Sequence, residues 1–588
     1  LPVGGTVQAG RIAGHGLAMV APAMPKTTPF SRLATNRTVA LGLPLVIYLG
    51  MSFLLFGRGG HWLTSYRGMS MDPVSLIWYL HWWPFAISHG LNPFVTNYLW
   101  YPHGFNIAWA TSLPVPALVM APFTYLLGPI FSYNLLTMAA PALAGWTAFL
   151  LCEDLTDEWL AALFGGYLYG FSSYEIGHLL GHLNLDFTCL VPLILLLCIR
   201  RIRGDVSGRA FQTALTLCLV AEYGIATELL ATLCVFGAVT WMVFFVFASP
   251  GERPRMFRTA IEISVAAVIA VIVISPFLYF MAKGAGDVPK QINDVQSFST
   301  DPLNVFIPTS LTWLNTDFFI RLSQQFPGGA SEQGGYLGLP LLLLLAIFFV
   351  TRRHRPYVVP LLVITCILLI CSLGYHLALS SVPTHIILPW RFTRVLPLLD
   401  KVLPTRFSMY VSLSTAIASA MMLASAKGWL RWACYGLALA AIASLLPSPA
   451  MSLWTPWPAA PVLTAQTIPG NSGKLPNVLI LPIAEKGPEM AWQLDAHMGF
   501  TQTGGYTGFI PLTEARNPLY ADLYNGSYST GTIDRLKALC SSHGIDYILL
   551  APATPPAQAA AIIALGWPVR HVAGGTIITV PPAAQINR

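Results

Sequence analysis

The feature that most constrains this chain is a series of apolar runs, each of a length that can cross a bilayer. A helix needs about 20 predominantly apolar residues to span the hydrocarbon core. Such runs fall at roughly 39–57, 134–152, 159–176, 187–200, 210–226, 229–248, 259–281, 336–351, 357–374, 404–425 and 429–447, which predicts eleven transmembrane helices. Only 10% of the residues are charged and 55% are hydrophobic, against near 25% charged in soluble domains. In water such a chain would expose large apolar patches and aggregate. The reading is therefore an α-helical polytopic membrane protein.

The formal net charge of +7 is gathered into short clusters beside apolar runs: Arg200, Arg201 and Arg203; Arg253, Arg255 and Arg258; Arg352, Arg353 and Arg355; Lys427 and Arg431. Cytoplasmic loops of membrane proteins carry such clusters. A continuous basic face is missing, which excludes nucleic acid as the expected partner. The apolar stretch 112–130 is interrupted by Pro114, Pro116 and Pro122. Counted as a span, it would place Arg200–Arg203 outside. Read as a helix lying at or re-entering the outer interface, it places all four clusters inside, the N-terminus in the cytoplasm and the C-terminal part outside. Residues 1–38 lack the compact apolar core of a signal peptide and read as a disordered cytoplasmic tail; Leu1 in place of Met suggests an alternative start codon, or a start at Met19 or Met24.

The domain organisation follows: a tail over 1–38, a membrane domain over 39–450 with large outer loops at 58–133, 282–335 and 375–403, and an outer soluble domain over 451–588. The last begins with Pro456, Pro458 and Pro461 and then takes an α/β rhythm, with strands at 478–481, 546–550 and 576–580 and helices at 533–542 and 556–565. About 135 residues can bury one modest core. No phosphate-binding glycine loop and no CxxC metal spacing occurs; eight of the nine cysteines lie in or beside apolar runs, and Cys540 stands alone in the soluble part.

Ionisable groups in or beside membrane spans are costly and so are functional candidates. Asp72, in the first outer loop, precedes Pro73 and a helical run; it can cap that helix and still present an oxygen to a ligand. Glu175, His178 and His182 have i, i+3, i+7 spacing and should share a helix face, with Asp186 nearby, as substrate contacts, a divalent-metal site or a plain polar juxtamembrane face. Glu222, Tyr223 and Glu228 sit between two spans, either as an interhelical turn or as hydrogen-bonding partners for sugar hydroxyls. Arg391, Arg394, Lys401 and Arg406 break the positive-inside bias, either as snorkelling anchors or as bidentate phosphate ligands. Trp62, Trp78, Trp82, Trp83, Trp100 and Trp109 crowd the first loop, as an interfacial belt or in part as sugar-stacking rings.

In order along the chain, Asp72, Leu80-His81-Trp82-Trp83-Pro84, His89-Gly90-Leu91-Asn92-Pro93-Phe94, Gly181-His182-Leu183-Asn184-Leu185, Pro192-Leu193, Glu332 before Tyr336-Leu337-Gly338, and Pro404-Thr405-Arg406-Phe407 resemble polytopic glycosyltransferases of the GT-C class, in an undercharacterised bacterial branch. The resemblance covers roughly 40–447. It implies sugar transfer from a polyprenyl-phosphate donor to a lipid, glycan or protein acceptor at the outer face of the bacterial inner membrane. Asp72 would be the catalytic base, with His81, His89, Glu175, His178, His182, Glu222, Arg391, Arg394 and Arg406 as substrate-binding residues. Many members have two acids in the first outer loop, whereas Asp72 is the only carboxylate between 58 and 133. A bound metal is accordingly not favoured, and no cofactor is expected. Two other classes share these sequence features: a transporter or lipid flippase, and a non-catalytic scaffold subunit of an envelope complex.

Overall fold

The computed structural model describes residues 37–586, apart from 290–291, 397–398, 452, 462, 465, 471–472 and 528. The tail expected over 1–38 lies outside the described residues, save for Arg37 and Thr38, which begin the first helix. Each apolar run falls on a helix: Arg37–Ser52, Pro129–Thr156, Trp159–Gly170, Leu190–Arg203, Gly208–Ile225, Thr227–Phe247, Arg253–Gly284, Leu339–Thr351, Val358–Ser372, Ser408–Ser425 and Gly428–Leu445. Among the described residues, seven helical stretches are long and apolar enough to cross a membrane, and the chain is a multi-pass membrane protein. The expected count of eleven rests also on four helices that do not meet that measure, Trp159–Gly170, Gly208–Ile225, Leu339–Thr351 and Val358–Ser372. The proline-interrupted stretch forms the helix Pro114–Leu127. At 1.5 Å per residue it extends roughly 21 Å, short of the roughly 30 Å hydrocarbon core.

Two helices form the centre. The apolar window of Pro404–Ser425 is 89% buried and that of Pro129–Thr156 is 72% buried, whereas that of Arg253–Asp287 is only 11% buried and lies at the periphery. Pro129–Thr156 packs on Trp159–Gly170 at close range because both carry glycine at the crossing: a Cβ on Gly170 would lie 2.4 Å from the Gly145 nitrogen. Without a hydrophobic drive between helices in lipid, close backbone approach at small residues is what holds them together.

Connectivity gives the helical domain two unlike ends. At one end the turns are short, and ion pairs tie them together: Asp154 with Arg200 and Arg203, Arg201 with Glu262, and Arg431 with Glu158. The other end collects the long loops and the C-terminal domain. That domain is a five-stranded sheet. We label its strands β1 (Asn477–Leu481), β2 (Thr501–Gln502), β3 (Tyr547–Leu550), β4 (Val569–Val572) and β5 (Gly575–Thr579). Their order is β4-β5-β3-β1-β2, with β1 parallel to β2 and β3, and β5 antiparallel to β3 and β4. β1 lies inside the sheet, between β3 and β2, and is buried at every residue.

The edge strand β2 is covered by the first long loop. Gln502 N–H donates to the Tyr98 carbonyl at 3.1 Å, Tyr101 N–H to the Gln502 carbonyl at 3.0 Å, and Trp100 N–H to the Gly504 carbonyl at 3.0 Å. An open sheet edge presents unpaired backbone groups, and here the loop satisfies them. The indole of Trp78 donates to Gln493 Oε1 at 2.8 Å, and the Gln493 amide donates to the Tyr98 carbonyl at 2.9 Å. A second tie is the strand Ser65–Arg67, which pairs antiparallel with Trp454–Pro456 of the linker.

Candidate functional site

Asp72 is positioned by a turn that only glycine permits. Gly68 has φ of +122° and a Cβ there would lie 2.8 Å from the Leu180 carbonyl oxygen. Met69 N–H donates to that same carbonyl at 2.8 Å, and Ser70 adopts φ of 69°, a strained backbone for a non-glycine residue. The turn thus lies directly on 180–181. Beneath it the Asn134 side chain accepts from the Arg67 N–H at 3.0 Å and donates to the Ser65 carbonyl at 2.8 Å.

Asp72 opens the helix Asp72–Ser88 as its first residue, and its side chain does not cap that helix. The carboxylate instead accepts from the Ser70 hydroxyl at 2.9 Å on Oδ2 and from the Tyr506 hydroxyl at 2.5 Å on Oδ1. His182 Nε2 lies 3.8 Å from Oδ2, and the Asp72 side chain is one-third exposed (33%). From there the polar contacts run inward. His182 Nδ1 and His178 Nδ1 are 3.2 Å apart. Burial, with His182 and Arg406 close by, pushes the His178 imidazole well below its ordinary pKa, so it is neutral. His178, His182 and Glu332 have ligand atoms within 4.8 Å of one another.

Glu332 arrives from the loop 282–335 because glycine again allows contact: a Cβ on Gly177 would lie 2.8 Å from the Ser331 carbonyl oxygen, and one on Gly334 2.7 Å from Tyr174 Cα. Glu332 Oε1 accepts from Arg406 Nη2 at 2.8 Å and Nε at 3.2 Å. The remaining Arg406 nitrogen, Nη1, donates to Glu228 Oε2. One guanidinium therefore serves two carboxylates, and Glu332 Oε2 has no hydrogen-bond partner among the described residues. His178, His182 and Glu332 are donors that could hold a divalent cation, but Arg406 already places a positive charge on Glu332.

The other expected site residues lie elsewhere. Glu175, His178 and His182 do not share a helix face, since the helix Ser173–His178 ends before Gly181, which has φ of +153°. Glu175 turns to the Thr188 hydroxyl, which donates to it at 2.5 Å. Glu222 is fully buried with both oxygens unpartnered among the described residues; its neighbour in the expected group, Glu228, is the one that joins the Arg406 network. His89 follows a helix of 17 residues, about 25 Å along the axis from Asp72, where Nδ1 meets the Phe85 carbonyl at 2.9 Å. His81 stacks on Phe85 with ring centroids 5.5 Å apart. Burial, then the nearby His497 and His89, push its imidazole down to about 4. Arg391 pairs with His376, and Arg394 lies over the Tyr375 ring at 5.4 Å; both engage their own loop. Trp82 and Trp78 stack on one another, centroids 5.3 Å apart and buried, as core rather than as an open sugar platform. Tyr506 joins the site without any charge or apolar-run signal in the sequence. Only its place after Gly504-Gly505 marks it, and those glycines read as a turn.

Residues 39–446 match a family described as a domain of unknown function (DUF6311), and this chain belongs to that family. No curated protein matches it by sequence. Its fold is similar to that of the arabinofuranosyltransferase AftD from Mycobacteria, with a TM-score of 0.51 and 15% identity over 91% of this chain; the chain spans 37% of AftD. ArnT from Cupriavidus metallidurans, solved bound to undecaprenyl phosphate, superposes with a TM-score of 0.45 and 10% identity, over 94% of this chain and 98% of that one. The oligosaccharyltransferase AglB from Archaeoglobus fulgidus, solved with an inhibitory peptide and a dolichol-phosphate, gives 0.45 and 12%, over 89% and 70%. The expected resemblance to polytopic membrane glycosyltransferases is met at the level of the fold.

Proposed function

We propose that this chain is an inverting membrane glycosyltransferase that moves a sugar from a polyprenyl-phosphate donor to an acceptor hydroxyl, with Asp72 as the general base. One observation supports this above the others: the Asp72 carboxylate is spared from helix capping, partly open to solvent, and held by the Tyr506 and Ser70 hydroxyls beside His182. An acceptor hydroxyl within hydrogen-bond reach of Asp72 would lose its proton to the carboxylate as its oxygen attacks the anomeric carbon. The bond from that carbon to the donor phosphate breaks on the opposite side, so the centre inverts, as in other single displacements at a sugar. The leaving lipid phosphate needs charge stabilisation.

Arg406 is a poor candidate for that last task, because Glu228 and Glu332 already balance it. Among the described residues Arg391 and Arg394, on the loop 375–403, are not paired with carboxylates in this way, and Arg394 is exposed. We assign phosphate contact to them, and the positioning of His182 and Glu332 to Arg406. The four basic clusters fall on the short-turn end, which supports placing that end in the cytoplasm and the Asp72 end at the periplasmic face of a bacterial inner membrane. The C-terminal domain would then help to bind the acceptor.

The test is sugar transfer by the purified protein from polyprenyl-phosphate sugars, comparing wild type with Asp72→Asn. Loss of turnover on the order of 100-fold or more is expected, with folding unchanged. Equal turnover would remove Asp72 from the reaction.

A further inference from the structure

We propose that His103, Glu514 and His543 form a divalent-cation site, best suited to Zn2+, that fastens the first long loop to the C-terminal domain. The three residues come from distant parts of the chain. His103 lies in the loop between the short strands Val95–Thr96 and Phe105–Asn106, Glu514 on the short helix Leu512–Ala515, and His543 at the end of the helix Thr530–His543. One ligand atom from each lies within 4.8 Å of the others. Glu514 Oε1 is 2.6 Å from His103 Nδ1, and Oε2 is 3.3 Å from His543 Nε2. Bonds of about 2.0–2.1 Å in a tetrahedral site place ligand atoms roughly 3.3 Å apart, so small side-chain rotations complete the geometry.

The hydrogen-bond accounting around His543 points to a cation. Its Nδ1 lies 2.8 Å from Ser542 Oγ, and the Ser542 hydroxyl donates to the Leu539 carbonyl at 3.2 Å. With that hydroxyl hydrogen committed, Ser542 accepts from Nδ1–H. In the neutral ring Nε2 then carries a lone pair, facing a carboxylate oxygen that also carries lone pairs. Two such acceptors at 3.3 Å are reconciled by a second proton on the ring or by a metal ion between them. A histidine that donates its second ring N–H to a fixed partner is the usual arrangement of a metal ligand. The Glu514 side chain is 3% exposed. Two imidazoles and one carboxylate suit Zn2+ rather than the hard oxygen-seeking cations. His103 is 52% exposed, which leaves water access for a fourth ligand. The site stands apart from the transferase reading and does not depend on it.

The clip has mechanical support. The backbone N–H and hydroxyl of Thr513 donate to Asp287 Oδ1 at 2.7 and 2.6 Å, so Glu514 is already anchored to a second loop. The metal would add the first loop, close to the backbone bonds by which 98–101 covers β2.

The experiment uses the full-length, detergent-solubilised protein, stripped with a chelator and titrated with ZnCl2 by calorimetry, with Co2+ absorption reporting coordination geometry. One equivalent of Zn2+ is expected to be lost, or bound on the order of 100-fold more weakly, in both His103→Ala and His543→Ala. Zn2+ should raise the melting temperature of wild type and not of either variant. His103 is half exposed, so His103→Ala is expected to fold. Three outcomes overturn the proposal: no Zn2+ binding by wild type, binding unchanged in both variants, or a bound Zn2+ that survives both and is lost only in Glu332→Gln. A stability that follows histidine protonation with no response to Zn2+ also overturns it, by making the clip a proton-held one.

Discussion

Arg201 and Arg406 stand at opposite ends of the same helical domain, and each faces glutamate. At the short-turn end Arg201 meets Glu262 fork to fork, Nε to Oε2 at 2.5 Å and Nη2 to Oε1 at 2.7 Å. Both carboxylate oxygens are used, and Arg258 adds a second positive charge at 3.4 Å. At the loop-rich end Arg406 is divided between Glu228 and Glu332, Glu332 keeps an unpartnered oxygen, and the contacts continue through His178 and His182 to Asp72. The same chemical parts therefore do different jobs. One end neutralises charge and ties turns together. The other holds excess negative charge and spare acceptors, a setting able to bind hydroxyl-bearing ligands.

The comparison can be broken most directly by activity. Asp72→Asn should cost on the order of 100-fold or more in turnover, while Arg201→Ala leaves turnover unchanged; a loss in both would deny the two ends their separate roles. Stability gives the next contrast. Removing Arg406 as Arg406→Gln strands two glutamates and should cost about 3–5 kcal/mol. Arg201→Ala leaves Glu262 its Arg258 partner and should cost about 1 kcal/mol. Denaturant unfolding in detergent measures both, and equal costs would collapse the distinction.

Acid should loosen the loop-rich end through His81. Its folded value, about 4, lies below the ordinary 6.5. The unfolded chain therefore takes up the proton first. The stability linked to this residue is complete above pH 6.5 and is lost as pH falls toward 4, a decline of roughly 2–3 kcal/mol. Unfolding measured across that range should flatten in His81→Leu. The smallest effect is expected of Tyr506→Phe, which removes one hydrogen bond to Asp72 and should lower turnover about three- to tenfold with the fold intact. Loss as deep as that of Asp72→Asn would promote Tyr506 from a positioning residue to a participant in the chemistry.

Much of the membrane domain was legible because apolar length is a local property. The run read at 229–248 is the helix Thr227–Phe247, and that read at 259–281 lies inside Arg253–Gly284. The strand read at 478–481 is Asn477–Leu481, its continuous apolar run explained by burial on both faces of an interior strand. The candidate site was legible only in part. Asp72, His178, His182 and Arg406 stood out as polar groups beside apolar spans and do meet. Glu175 misled, because a seven-residue helical spacing presumes a helix that Gly181 interrupts. His89 misled because a motif read along the sequence ignores the length of the helix separating its members.

The sequence by itself determined that this chain lives in a membrane, where its helices run and which ends of them are basic. Those properties are sums over some 20 neighbouring residues, and transfer from water to lipid sets them without reference to the rest of the fold. The tertiary structure decided which groups meet. Tyr506 reaches Asp72 across 434 positions, and Arg406 reaches Glu228 across 178 and Glu332 across 74. Such pairings depend on backbone contacts at Gly68, Gly177 and Gly334 and on a loop that completes the edge of a distant sheet, and no local sum contains them.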